Sequence, residues 1–101
     1  MKSIKLSTGD TVQLKERWTH GMEKAFDLAL FKDGGKATVK TAYEAYETVL
    51  PMLLEKIERG GATVEWSVGW LDDLPEPDYK LIVKTVDEIS SLDKDKEKKG
   101  N

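Results

Sequence analysis

Residues 2–17 read KSIKLSTGDTVQLKER, two short alternations on either side of one turn. Ile4 and Leu6 alternate with polar neighbours, and Val12 and Leu14 do the same. Apolar residues at period 2 mark a strand with one buried face. Between the runs lies STGDT, where Gly9 supplies the positive φ of a tight turn. The stretch predicts a β-hairpin with Ile4, Leu6, Val12 and Leu14 on one side. A lone hairpin is marginal in water, so that side must pack on something.

The following residues supply helices. Trp18 closes the second strand in this reading, and Thr19 caps a helix continuing as HGMEKAFDLALFK. A threonine hydroxyl there accepts a first-turn amide proton, and Glu23 sits near the positive end of the helix dipole. Met22, Phe26, Ala29 and Leu30 recur at helical spacing, and Asp33-Gly34-Gly35 stops the run. A longer helix is expected over residues 38–59, with Val39, Ala42, Tyr43, Tyr46, Val49, Leu50, Leu53, Leu54 and Ile57 as its apolar stripe. Pro51 removes one backbone bond, so the reading there is a kink or two abutting helices. Gly60-Gly61 ends the element. Residues 63–70, TVEWSVGW, alternate again, with Val64, Trp66, Val68 and Trp70 on one side, which argues for a third strand. A last helix starts near Pro77, a residue suited to a first helical turn, and Tyr79, Ile82, Val83, Val86 and Ile89 line its apolar face. The expected fold is therefore α+β: an N-terminal hairpin, extended or not by residues 63–70, packed on three helical elements.

The totals bound the function. With 101 residues the chain suggests one small domain over residues 1–91, followed by a mixed-charge, disordered tail over 92–101. There is no cysteine, which removes disulfides and thiolate metal sites and fits an intracellular protein. No stretch approaches the ~20 apolar residues that span a bilayer, and the opening MKSIKLSTGD lacks an apolar run of signal-peptide length. Neither a membrane nor a secretory route is expected. Net charge is −3, and the lysines and arginines are scattered among acids. Nucleic-acid binding calls for a basic face, so no nucleic-acid partner is expected.

Catalytic chemistry finds little footing. The single histidine, His20, falls at a helix start with no nucleophile motif around any serine. Gly34-Gly35-Lys36 lacks the upstream glycine and following Ser/Thr of a phosphate loop. The acidic run Glu65, Asp72, Asp73, Glu76 and Asp78 is broken by Leu74, Pro75 and Pro77, unlike the alternate-position oxygens of a calcium loop. We expect no enzyme, cofactor or metal. VEWSVGWLDDLPEPDY, residues 64–79, reads first as a strand, a proline-stiffened acidic turn and a capped helix with Trp66 in the core; docking is its functional alternative, with Trp66 and Trp70 adjoining Asp72 and Asp73 and no basic residue. Aromatics with a polar rim suit binding surfaces, although both rings also suit a core. Tyr43 and Tyr46 share that ambiguity: core residues, or part of a homo-oligomer contact or a groove for a partner helix.

The opening IKLSTGDTVQLKE, the central LLEKIERG and the closing VEWSVGWLDDLPEPDYKLIVKTVDEI together resemble the small tail assembly chaperones of long-tailed bacteriophages. The likeness lies in a tryptophan-bearing segment, a Leu-Pro turn, an acidic D-Y helix start and the Lys-rich end DKDKEKKGN. The resemblance implies a holdase in the host-cell cytoplasm. It would bind the tape-measure protein before the tail tube polymerises, and it would have tube protein as a further partner. The rival expectation is another small phage structural protein, a head–tail connector or a tail-completion subunit.

Overall fold

The computed structural model of the chain describes the backbone of residues 1–99 and the side chains of residues 1–91. The architecture is α+β, one antiparallel four-stranded sheet and four helices among the described residues. The predicted hairpin is present as β1 (Lys2–Lys5) and β2 (Asp10–Leu14), paired with Ile4 opposite Val12. Gly9 takes φ 94°, and the turn closes through Leu6 N–H donating to the Asp10 carbonyl at 2.8 Å. Ile4, Leu6, Val12 and Leu14 are all buried. Trp18 lies beyond this sheet, because β2 ends at Leu14.

The expected helix over residues 38–59 is half helix and half strand. α2 (Val39–Leu53) runs through Pro51 and stops two residues later. Leu54–Arg59 is β3, antiparallel to β2. Leu54 pairs with Leu14, Lys56 with Gln13 and Ile57 with Val12, so Glu55 is an extra residue opposite the Gln13/Leu14 step. Such a bulge resets the two-residue alternation. Both Leu54 and Ile57 then lie opposite core residues of β2 although they are three apart, a spacing that reads as helical in one dimension. Gly60 and Gly61 are not a helix stop. Their φ values of 57° and 84° are those of a two-residue type I′ hairpin, which leads into β4 (Ala62–Thr63).

The strand expected over residues 63–70 is also corrected. Beyond Thr63 the Val64 N–H still donates to the Ile57 carbonyl at 2.8 Å. Ser67 then caps a short helix, α3 (Val68–Asp72), by accepting from the Trp70 N–H at 3.0 Å. A serine at an N-cap satisfies an amide that the first turn leaves free, and here it ends the alternating run. α4 (Glu76–Lys99) starts one residue before Pro77, with the Pro75 carbonyl accepting from the Asp78 and Tyr79 amides. Its Ile82, Val86 and Ile89 are buried, while Tyr79 and Val83 are half-buried. Ser7 donates through both its N–H (3.1 Å) and its hydroxyl (2.6 Å) to the buried Asp78 carboxylate, tying the hairpin turn to the start of α4. Residues 92–99, expected as a disordered tail, continue the α4 backbone, and residues 100 and 101 lie outside the described residues.

The chain divides into two compact units. One holds Met1–Arg17 and the described residues from Leu54 onward: the sheet, α3 and α4. The other is Trp18–Leu53, a helical pair made of α1 (His20–Leu30) and α2. Thr19 caps α1 as its sequence suggests, accepting from the Met22 N–H at 3.2 Å. Thr38 and Thr41 cap α2 reciprocally, each hydroxyl accepting from the other's N–H at 3.1 and 2.8 Å. Phe26 of α1 meets Tyr46 of α2 edge-on with centroids 5.2 Å apart, and Trp18 packs on Phe26 at 6.3 Å. An ion pair between Lys32 and Glu44 adds a polar link across the connection.

The turn assignment separates two glycines that look alike in sequence. Gly61→Val places a β-branched side chain at positive φ and is expected to cost about 1–2 kcal/mol. Gly21→Ala falls at ordinary φ in α1 with ordinary contacts and is expected to be neutral or to gain up to about 1 kcal/mol. Urea unfolding checks both, and a Gly61→Val protein as stable as wild type would show that the turn is not type I′.

Candidate functional site

Asp10 opens β2 directly opposite Arg59, which closes β3. The Asp10 side chain is fully buried, whereas that of Arg59 is 59% exposed, its guanidinium reaching back over the strand end. Arg59 Nε donates to Asp10 Oδ1 at 2.5 Å and Nη2 donates to Oδ2 at 2.9 Å, a two-pronged arrangement matched to a carboxylate. Trp70 Nε1 donates to the same Oδ2 at 2.9 Å. The Arg59 hydrogen bonds hold the Asp10 carboxyl below the usual carboxylate range, opposed by burial and assisted by the Trp70 indole. The same bonds raise Arg59. A carboxylate so engaged is held ionised, and its role is to anchor three donors.

That anchor fixes the aromatic segment. With its indole N–H held by Asp10, Trp70 presents its ring to Trp66, edge to face with centroids 6.2 Å apart. Both rings are half-buried, so each has an accessible part, and Val68 between them in sequence is 44% exposed. Asp72 and Asp73 follow at the end of α3, and both are exposed. The sheet-bearing unit thus brings Trp66 and Trp70 together with the two acids adjacent in the chain. Tyr43 and Tyr46 belong to the helical unit: Tyr43 is exposed, and Tyr46 is half-buried against Phe26.

Two features escape the sequence reading. Asp10 looks like turn chemistry and Arg59 like a helix end, and the signal that joins them is that each flanks a glycine turn at one end of paired strands. The second is the exposure of Val39, which the helical stripe places on the apolar face. Val39 is 76% exposed and Leu28, off the α1 stripe, is 65% exposed. Among the described residues no three metal-ligating side chains cluster, and no helix is long and apolar enough to cross a membrane. Comparison with protein-family models, curated proteins and solved structures returned no match to this chain.

Asp10→Asn removes the charge from a buried partner of Arg59 and is expected to destabilise by about 2–4 kcal/mol at neutral pH. Because the folded carboxyl titrates below its unfolded value, its contribution is complete above pH about 3.9 and is lost as pH falls through the folded value. The gap between wild type and variant should therefore close under acid conditions. Chemical denaturation at neutral pH and in steps below pH about 4 measures it, and a gap independent of pH would remove Asp10 from this role.

Proposed function

We propose that the chain is a non-enzymatic phage tail assembly chaperone, a holdase that binds the tape-measure protein in the host-cell cytoplasm before the tail tube polymerises. The observation that carries the reading is a set of exposed large apolar side chains on the helical unit: Leu28 and Phe31 at the end of α1, Val39 and Tyr43 at the start of α2. Val39 and Tyr43 are one turn apart and share a helix face. A small chain gains nothing for its own stability from apolar groups left in water. Exposed apolar groups set among charges mark contact surfaces, and long helical clients present matching apolar stripes.

The physical demands of the role agree with the rest of the molecule. A holdase has to stay soluble while offering apolar surface, and a net charge of −3 favours that. It has to release its client when tube subunits arrive, which a few half-exposed contacts permit better than a deep groove. The half-exposed Trp66–Trp70 pair is a second contact of this kind, and the tube protein is the partner expected to compete for the client.

Co-expression of a tape-measure segment with this chain tests the reading. The segment is expected to stay soluble and to co-elute with the wild-type chain in size-exclusion chromatography. Leu28→Asp/Val39→Asp is expected to lose that protection while melting as wild type does, since both side chains are mostly in water. A segment that aggregates beside the wild-type chain, or is held equally well by the variant, overturns the proposal.

A further inference from the structure

We propose that the Trp66–Val68–Trp70 surface docks an arginine-bearing amphipathic segment of the partner protein. The apolar part of the surface consists of two half-exposed tryptophans in edge contact and the exposed Val68. What selects the occupant is charge. Glu65, Asp72, Asp73 and Glu76 surround these residues in the chain, all four are exposed, and residues 64–79 contain no lysine, arginine or histidine. None of the four carboxylates has a side-chain hydrogen bond or ion pair among the described residues. Several other acids are engaged, Asp10 with Arg59, Glu16 with the N-terminus, Glu44 with Lys32, Glu58 with Lys56 and Asp78 with Ser7, and those without a partner, such as Asp27 and Glu55, have no tryptophan pair next to them in the chain. Arg59, joined to Trp70 through the shared Asp10 carboxylate, is already held by it.

Unneutralised acids next in the chain to half-exposed aromatic residues are complementary to one kind of side chain above others. A guanidinium stacks on an indole and pairs with a carboxylate in the same approach. A lysine pairs with the acids as a point charge and stacks less well. An acidic or purely apolar segment meets repulsion, or leaves the carboxylates to be desolvated without partners. The Trp70 indole N–H is committed to Asp10, so the ring is held in place before any partner arrives, and the ordering cost of binding falls. The inference borrows the tape-measure protein from the proposed function only as the bearer of that segment.

The test uses the full chain and two synthetic amphipathic helical peptides of identical apolar pattern, one with arginine and one with glutamate at every polar position. Calorimetry and tryptophan fluorescence at low salt read binding. The arginine peptide is expected to bind wild type and the glutamate twin is not. Glu65→Gln/Asp72→Asn/Asp73→Asn/Glu76→Gln is expected to weaken the arginine peptide roughly tenfold. Trp66→Ala, which leaves the charge unchanged, is expected to weaken it roughly three- to fivefold. No binding of the arginine peptide, equal binding of both peptides, or wild-type affinity in the four-acid variant overturns the inference. So does an unchanged affinity in a Trp66→Ala protein that melts cooperatively; should that variant not fold, the four-acid variant carries the test, since its substitutions are all at exposed, unpaired positions. A tape-measure segment kept soluble equally well by the four-acid variant leaves the chaperone reading standing and sinks only this one. Arginine-peptide binding by a chain that protects no tape-measure segment does the reverse.

Discussion

The buried Asp10 carboxylate is the constraint on which the sheet-bearing unit is arranged. An unpaired charge in that position would cost more than most single contacts return. Three donors offset it, and they come from separate parts of the chain: two from Arg59, 49 residues away, and one from Trp70, 60 residues away. Satisfying one carboxylate therefore sets three things together: the end of β2 against the end of β3, the place of the Gly60-Gly61 turn, and the path of the chain from β4 into α3. A hydrophobic pair at the same place would favour association of those segments, but it would not specify which edge of the Trp70 ring faces inward. Directional bonds to a single acceptor do.

The parts of the fold legible in the sequence are those written locally. The first hairpin needs only two alternations and a glycine. The start of α1 needs only Thr19 and the spacing of Met22 and Phe26, and the buried face of α4 needs only Ile82, Val86 and Ile89. The parts that were misread depend on partners far along the chain. Leu54 and Ile57 are three apart because Glu55 bulges, and that bulge exists only relative to Gln13 and Leu14 of the neighbouring strand. Without β2 in view the same residues complete a helical stripe begun at Val39. Pro51 was the local hint, since a helix that loses an amide bond there is ready to stop soon after, and it stops at Leu53.

The candidate site was half legible for a related reason. Trp66 and Trp70 stand out by size and by their acidic neighbours, and the structure does bring them into contact. Their geometry was wrong in the sequence reading, which put them on one face of a strand two positions of alternation apart. In α3 the contact arises because Ser67 turns the chain between them, so the rings meet across a cap. Tyr43 and Tyr46 divide. Tyr46 is consumed by packing on Phe26, and Tyr43 remains outside with Val39. A stripe read from periodicity gives the apolar face of a helix, but not how much of it a short helical pair can cover.

The docking surface proposed at Trp66 and Trp70 would have to meet two opposed demands, and the Asp10 anchor bears on both. Large aromatic groups held rigidly make better contacts than mobile ones, because less rotamer freedom is lost when a partner arrives. Fully buried aromatics make none. Holding Trp70 through its polar N–H edge secures the ring at one point without enclosing it, and Trp66 then packs on a fixed neighbour while keeping part of its own surface in water. The carboxylate that organises the end of the sheet is, through Trp70, what keeps the tryptophan pair both ordered and accessible. For the docking proposed at this surface, the unpaired acids next to it in the chain would add attraction that salt weakens to an apolar contact that salt does not.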